Sequence, residues 1–236
     1  MSKTDTVQKN YQSINLIKVI ATYFVVLYHN FYANSNVLTP NNSVGYFTYF
    51  LKTILGCCVP LFFFVNGALL LNKRLDIKRH IKKVISLVLL TLIWGAITLV
   101  SLMYIRNEFF SIKDSFFGIL TLKQGWINSL WFLTTMVMIY TFFPIMKSAF
   151  DNNRNYFRFF FVVVCILTFG NVFISMCVNV VEFMLHKNNF TGNFNFFYRF
   201  NAFSGIYGYS LGYFMLGGYF HYNISLQRER KNRKNN

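Results

Sequence analysis

Long apolar stretches alternate with short polar segments along the whole 236-residue chain. Each of the six stretches can cross a bilayer as a helix, which takes about 20 residues. They cover residues 14–33, 46–71, 84–105, 127–147, 157–181 and 199–222. The pattern predicts an all-α, multi-pass membrane helix bundle with about six spans, in which residues 14–222 form one membrane domain. Residues 1–13 are then a polar N-terminal segment, and residues 223–236 a basic tail.

Charge content and placement agree with this prediction. Only 13% of the residues are charged, against about 25% in a soluble domain. The net charge of +16 is concentrated in residues 1–13, 73–83, 147–158 and 223–236, all on one side of a six-span arrangement. The positive-inside rule places both termini in the cytoplasm of a cell-membrane protein. Membrane topology and anionic lipid thus explain the basic charge, and nucleic acid is not predicted as a partner.

Two ionisable side chains, Lys18 and His29, lie inside the first apolar stretch. Such residues are costly in a membrane span and indicate function by default. Eleven positions at about 100° per residue place both on one stripe of a helix, about 16 Å apart along its axis. His29 could act as a general base or hydrogen-bond to a neighbouring helix. Lys18 could take part in chemistry or extend to the cytoplasmic interface.

The prolines, small residues and cysteines of the predicted spans are expected to affect helix packing rather than chemistry. Pro60 and Pro144 lie inside predicted spans, where each removes a backbone hydrogen bond. Small residues recur every four positions in the last span, at Ser204, Gly208 and Gly212, and predict a close helix contact. The cysteines lack metal-ligand spacing, and no metal site is predicted.

Polar and aromatic residues near the ends of the spans give two further expectations. Phenylalanines among charges in residues 106–126 predict a short interfacial helix. His80 and His221 lie in or beside cytoplasmic charge and are expected to be solvated.

Five segments resemble the acyltransferase-3 membrane proteins, in that family's order. Residues 14–29 are similar to its first helix, which begins with an arginine, ten residues and a histidine. Residues 58–70 resemble its second-helix Val-Pro-Leu-Phe-Phe…Ser-Gly signature, and residues 73–83 occupy the place of its Lys/Arg cluster. Residues 129–133 and 211–217 resemble its Leu-Trp-Phe-Leu and Gly-Tyr-Phe-Leu-Leu-Gly elements.

The resemblance implies transfer of an acyl group, often acetyl, from cytoplasmic acyl-CoA to an extracytoplasmic sugar or cell-envelope glycan. No bound cofactor is implied, because acyl-CoA is a co-substrate. His29 takes the histidine's place as base, and Lys18 takes the arginine's place, keeping the charge but not the bidentate fork. The implied CoA-phosphate contacts are Lys73, Arg74, Lys78, Arg79, Lys82 and Lys83. Topology alone explains this basic run equally well.

Four further residues are predicted to contact the substrates. Asn66 stands where the family usually has serine, and Trp131 could line the acyl channel or belong to an interfacial aromatic belt. Lys52 and Arg199 could meet an anionic glycan or extend to the interface.

Length is the main departure from the family, whose members usually have around ten membrane helices. This chain has room for about six. The difference predicts a site completed by self-association or by a second polypeptide. The alternatives are a non-catalytic protein that aids polysaccharide export and an inactive fragment of an acyltransferase.

Overall fold

The structure is a computed structural model that describes residues 3–33, 43–107, 109–120, 130–185 and 206–235. Every regular element within these ranges is a helix. A π-helical segment, Ile166–Gly170, joins α7 to α8. The α-helices are α1 Lys3–Ala33, α2 Ser43–Leu55, α3 Cys58–Leu71, α4 Ile77–Arg106, α5 Ile112–Leu120, α6 Trp131–Asn152, α7 Arg154–Cys165, α8 Asn171–Met184 and α9 Ile206–Asn235.

Four helical stretches are long and apolar enough to cross a membrane: Gly45–Leu71, Ile77–Arg106, Trp131–Asn152 and Arg154–Met184. They coincide with the four middle stretches of the sequence pattern, and a membrane helix bundle therefore fits the chain. The first predicted span lies within α1, and the last lies within α9 from residue 206 onward. The total of six spans and the cytoplasmic location of the termini stay predictions.

The chain divides into two compact units, the first made of residues 1–73 with 158–236. Its centre is the pair α3 and α9, which approach through two glycines. A Cβ atom on Gly67 would lie 1.7 Å from the carbonyl oxygen of Phe214, and one on Gly217 would lie 1.9 Å from that of Phe64. At each of these two points one helix has no side chain, and its backbone therefore touches the backbone of the other helix.

The helix is interrupted just before Pro60, so the predicted loss of a helical hydrogen bond at this residue does not occur. α2 ends at Leu55, Gly56 and Cys57 form a turn, and α3 begins at Cys58. Pro60 thus lies in the first turn of α3, where its missing N–H breaks no helical hydrogen bond.

The π-helical segment packs on α9 in the first unit. The ring of Phe169 lies between Tyr209 and Tyr213, with centroid distances of 5.3 and 5.5 Å. A Cβ on Gly212 would lie 3.3 Å from this ring. Gly212 of the predicted small-residue ridge therefore faces an aromatic ring, Gly208 is buried, and Ser204 lies outside the described residues.

The second unit, residues 74–157, contains α4, α5 and α6. The buried residues of α4 form one stripe, His80, Thr91, Gly95 and Leu99. α4 begins at Ile77 because Asp76 caps it, with Oδ1 accepting the Arg79 amide hydrogen at 3.2 Å. Residues 77–83 of the basic run 73–83 are therefore helical, although the run lies between two predicted spans. The predicted short helix between residues 106 and 126 is confirmed as α5.

Candidate functional site

α1 carries the two ionisable residues singled out in the first apolar stretch. The helix is continuous from Lys3 to Ala33, so Lys18 and His29 lie about 16 Å apart along one axis. His29 is exposed, Lys18 is half-buried, and Ala21 between them is fully buried. The helix therefore packs one face inside the first unit and leaves the imidazole outside that packed face.

The C-terminal end of α1 lies beside α2. The Lys52 ammonium is 5.8 Å from the ring centroid of Tyr28, the residue before His29. The same ring lies 3.7 Å from a Cβ built on Gly56. Of the residues predicted to contact substrate, Lys52 thus lies beside Tyr28, the neighbour of His29 in sequence, and its charge there favours an anionic group.

Asn66 is half-buried on α3, one residue before the glycine that contacts α9. Its Nδ2 donates to the carbonyl of Phe62 in the same helix at 2.9 Å. An amide has two donor hydrogens and an acceptor oxygen, so further hydrogen-bonding capacity remains after this bond. A substrate role for Asn66 stays a prediction.

The basic run, residues 73–83, presents six cations against a single carboxylate, that of Asp76. All six cationic side chains are exposed. Arg79 pairs with Asp76, its Nε lying 3.3 Å from Oδ2. The positive end of the α4 dipole lies in the same run and adds to its attraction for anions. The geometry permits contact with phosphates and leaves the CoA contact a prediction.

Trp131 is the first residue of α6 and is half-buried. Its carbonyl oxygen accepts hydrogen bonds from the hydroxyls of Thr134 and Thr135, both at 2.8 Å. These bonds fix the start of the helix, and nothing in them tests a channel role for the indole. Arg199, the remaining predicted substrate residue, lies outside the described residues.

The expectation that His80 is solvated is wrong. Its side chain is buried, with 8% exposure, and Nε2 lies 2.7 Å from the carbonyl oxygen of Tyr140 on α6. Its ring stacks on Tyr140 with an interplanar angle of 7° and a centroid distance of 5.7 Å. The cations on either side of His80 in the sequence led to the expectation that it is solvated. The sequence around His80 carried no signal of burial, because Lys83, three positions further, shares its helix face and is itself a cation.

Comparison with known proteins supplies one match. The family model of the acyltransferase-3 type, described as an acyltransferase domain, matches residues 11–234. The curated proteins and the solved structures contain no significant match. The matched range includes every residue named above as a candidate for chemistry or binding, so the resemblance drawn from five short segments holds over nearly the whole chain.

Proposed function

The chain belongs to the acyltransferase-3 family, and from this premise we propose that it moves an acetyl group from cytoplasmic acyl-CoA to a hydroxyl of an extracytoplasmic cell-envelope carbohydrate. Membership itself supports a membrane acyltransferase in general, and the proposal adds the donor, the acyl group and the acceptor. The observation that carries it is His29, an exposed imidazole on α1. A histidine in a membrane span is retained at a cost, and general-base chemistry is a reason to retain it.

The proposed reaction is a single acyl transfer. A carbohydrate hydroxyl is a weak nucleophile until a base accepts its proton. Nitrogen of the His29 imidazole accepts that proton while the hydroxyl oxygen forms a bond to the thioester carbonyl carbon. The carbon–sulfur bond then breaks, and the CoA sulfur leaves as a thiolate that takes the proton from the imidazolium. The products are an O-acyl sugar and free CoA.

Lys18 acts on a different part of the substrates from His29. A separation of about 16 Å prevents contact between its ammonium and the imidazole of His29. On the predicted topology Lys18 lies closer to the cytoplasm, the side from which acyl-CoA enters. Its ammonium is therefore proposed to attract the donor as a point charge, without the orienting fork of an arginine.

The basic run is proposed to contact the phosphates of CoA. Phosphate oxygens form short, charge-assisted hydrogen bonds with Lys and Arg, and CoA carries several phosphate groups. The exposure of all six cations supports this assignment. Arg79 is partly engaged by Asp76, so we expect Lys78 and Lys82 on the same helical turns to contribute more.

The test is transfer of label by purified protein in lipid. Labelled acetyl-CoA and a cell-envelope extract are supplied to the wild type, to His29→Ala and to the control Asn30→Ala. Asn30 is exposed beside His29 and bonds only its own helix among the contacts described, through Nδ2 to the Val26 carbonyl at 2.9 Å. Removal of a general base typically costs about 10²–10⁴-fold. We expect such a loss in His29→Ala and near-normal transfer in Asn30→Ala.

Two results would contradict the proposal. Folded wild-type protein that transfers no label, beside a working longer relative, would exclude autonomous catalysis and favour a role in export or a need for a second polypeptide. Equal transfer by His29→Ala and the wild type would exclude His29 as the base.

A further inference from the structure

Pro144 leaves one backbone carbonyl of α6 without its helical partner. In an α-helix the amide hydrogen of residue i bonds the carbonyl oxygen of residue i−4. Proline has no amide hydrogen, and α6 runs unbroken from Trp131 to Asn152 with Pro144 inside it. The orphaned acceptor is therefore the carbonyl of Tyr140. In an apolar surrounding such a group costs free energy unless another donor reaches it.

His80 of α4 supplies that donor. Its Nε2 lies 2.7 Å from the Tyr140 oxygen. A carbonyl can only accept, so Nε2 carries the hydrogen. The imidazole also stacks on the Tyr140 ring and lies 5.1 Å from that of Phe143. The first turn of α4 is thereby bound to the acceptor that Pro144 exposes on α6.

The same contact orients the helical part of the basic run. The His80 amide donates to the Asp76 carbonyl at 2.9 Å, so the imidazole belongs to the first hydrogen-bonded turn of α4. Lys83, three residues further, places its ammonium 4.8 Å from the centroid of the Tyr140 ring. With these two residues held on Tyr140, the side chains of Lys78, Arg79 and Lys82 are exposed on the remaining faces.

We propose that His80 is a positioning residue for donor binding. By docking the start of α4 on the carbonyl opened by Pro144, it holds the cations of this helix in the arrangement that binds the phosphates of acyl-CoA. His80 does not contact the donor itself. The inference rests on the proposed function, because it takes CoA as the ligand of the basic run.

Two substitutions separate the hydrogen bond from the space that the imidazole fills. His80→Gln keeps an N–H donor on a side chain of similar reach, whereas His80→Leu fills much of the volume and donates nothing. Each is made in the wild type and in Pro144→Ala, where the amide of residue 144 can bond the Tyr140 oxygen again. The measurements are the Kd of full-length protein in lipid for CoA, the KM and kcat for acetyl-CoA, and the unfolding midpoint.

We expect His80→Leu to raise the Kd for CoA and the KM about tenfold, with kcat within about twofold, and to lower the unfolding midpoint. A tenfold change corresponds to about 1.4 kcal/mol. His80→Gln should restore most of the affinity. Adding Pro144→Ala to His80→Leu should restore the unfolding midpoint, because the carbonyl is paired again, but not the affinity, because α4 is still undocked.

The outcomes distinguish the two proposals. An unchanged Kd in His80→Leu, or a Kd that recovers together with the midpoint when Pro144→Ala is added, would overturn the positioning role while leaving the acyl-transfer proposal intact. Equal loss of affinity in His80→Gln and His80→Leu would also overturn it. Absence of CoA binding by the wild type would overturn CoA as the ligand and the positioning role with it. The unfolding midpoints would still report the contact between α4 and α6 in that case, because His80→Leu should lower the midpoint with proline at position 144 and not with alanine there.

Discussion

Two helix pairs, one in each unit, are held together by opposite means. α3 and α9 approach by leaving out side chains, since Gly67 faces the Phe214 carbonyl and Gly217 faces the Phe64 carbonyl. α4 and α6 are joined by adding one, the buried imidazole of His80 on the Tyr140 carbonyl. Lipid chains are as apolar as leucine, so neither pair gains from hydrophobic burial alone. Close backbone packing and an interhelical hydrogen bond are two of the remaining sources of attraction.

The hydrogen bonds at the two crossings differ in what they satisfy. Asn72 donates from Nδ2 to the carbonyl of Gly218 at 3.1 Å, joining the end of α3 to α9. α9 continues past Tyr222, whose amide is the helical partner of the same carbonyl. The Tyr140 carbonyl has no such partner, because residue 144 is proline. Loss of the donor should therefore be cheap at the first crossing and costly at the second.

The largest effect expected among stability variants is that of Gly67→Ala. The new Cβ would lie 1.7 Å from the Phe214 carbonyl oxygen, so the two backbones have to separate. Overpacking typically costs about 1–3 kcal/mol and occasionally more, and backbone on both sides places this site at the upper end. Unfolding of the purified protein in lipid measures the loss. Gly212→Ala is the matched control, because its Cβ would meet a phenylalanine ring at 3.3 Å. Equal unfolding midpoints for the two variants would contradict direct backbone contact.

The sequence predicted the helices well and the contacts between them poorly. Apolar length located the four described spans, and the break between α2 and α3 lies just before Pro60. These features are local, since they depend on the period and the chemistry of neighbouring residues. The small-residue spacing drew attention to Gly212, whereas the backbone contact uses Gly67 and Gly217. Which glycines face each other depends on helix rotation, which no local pattern fixes.

The candidate site shows the same division. Lys18 and His29 could be singled out because they share one apolar stretch, and the structure keeps both on α1, while their roles stay predictions. The burial of His80 was missed because it arises from contact with Tyr140 on α6, sixty positions away along the chain, whose carbonyl loses its helical partner at Pro144. Pro144 in the sequence indicates that the Tyr140 carbonyl lacks its helical donor. It does not say which helix provides one, and that information arises only when α4 and α6 pack together.

A smaller effect is expected from Asn72→Leu. Interhelical hydrogen bonds in membrane proteins contribute about 0.6 kcal/mol on average, and the Gly218 carbonyl keeps its own helical partner after the substitution. We therefore expect a loss of about 0.6 kcal/mol in unfolding, less than for His80→Leu measured in parallel. A loss from Asn72→Leu as large as that from His80→Leu would show that a paired carbonyl and an orphaned one are equally dependent on the added donor.

The smallest effect is expected from Lys83→Gln, which removes the ammonium near the Tyr140 ring but leaves the His80 bond in place. A cation–π contact at an exposed site contributes about 0.5–1 kcal/mol. Lys82→Gln removes the same charge from the neighbouring position and controls for the change in net charge. The difference between the two unfolding free energies should be about 0.5 kcal/mol. If Lys83→Gln instead destabilised the protein as much as His80→Leu, the cation would hold α4 on α6 as strongly as the imidazole does, and the contrast with the glycine crossing would not rest on the orphaned carbonyl alone.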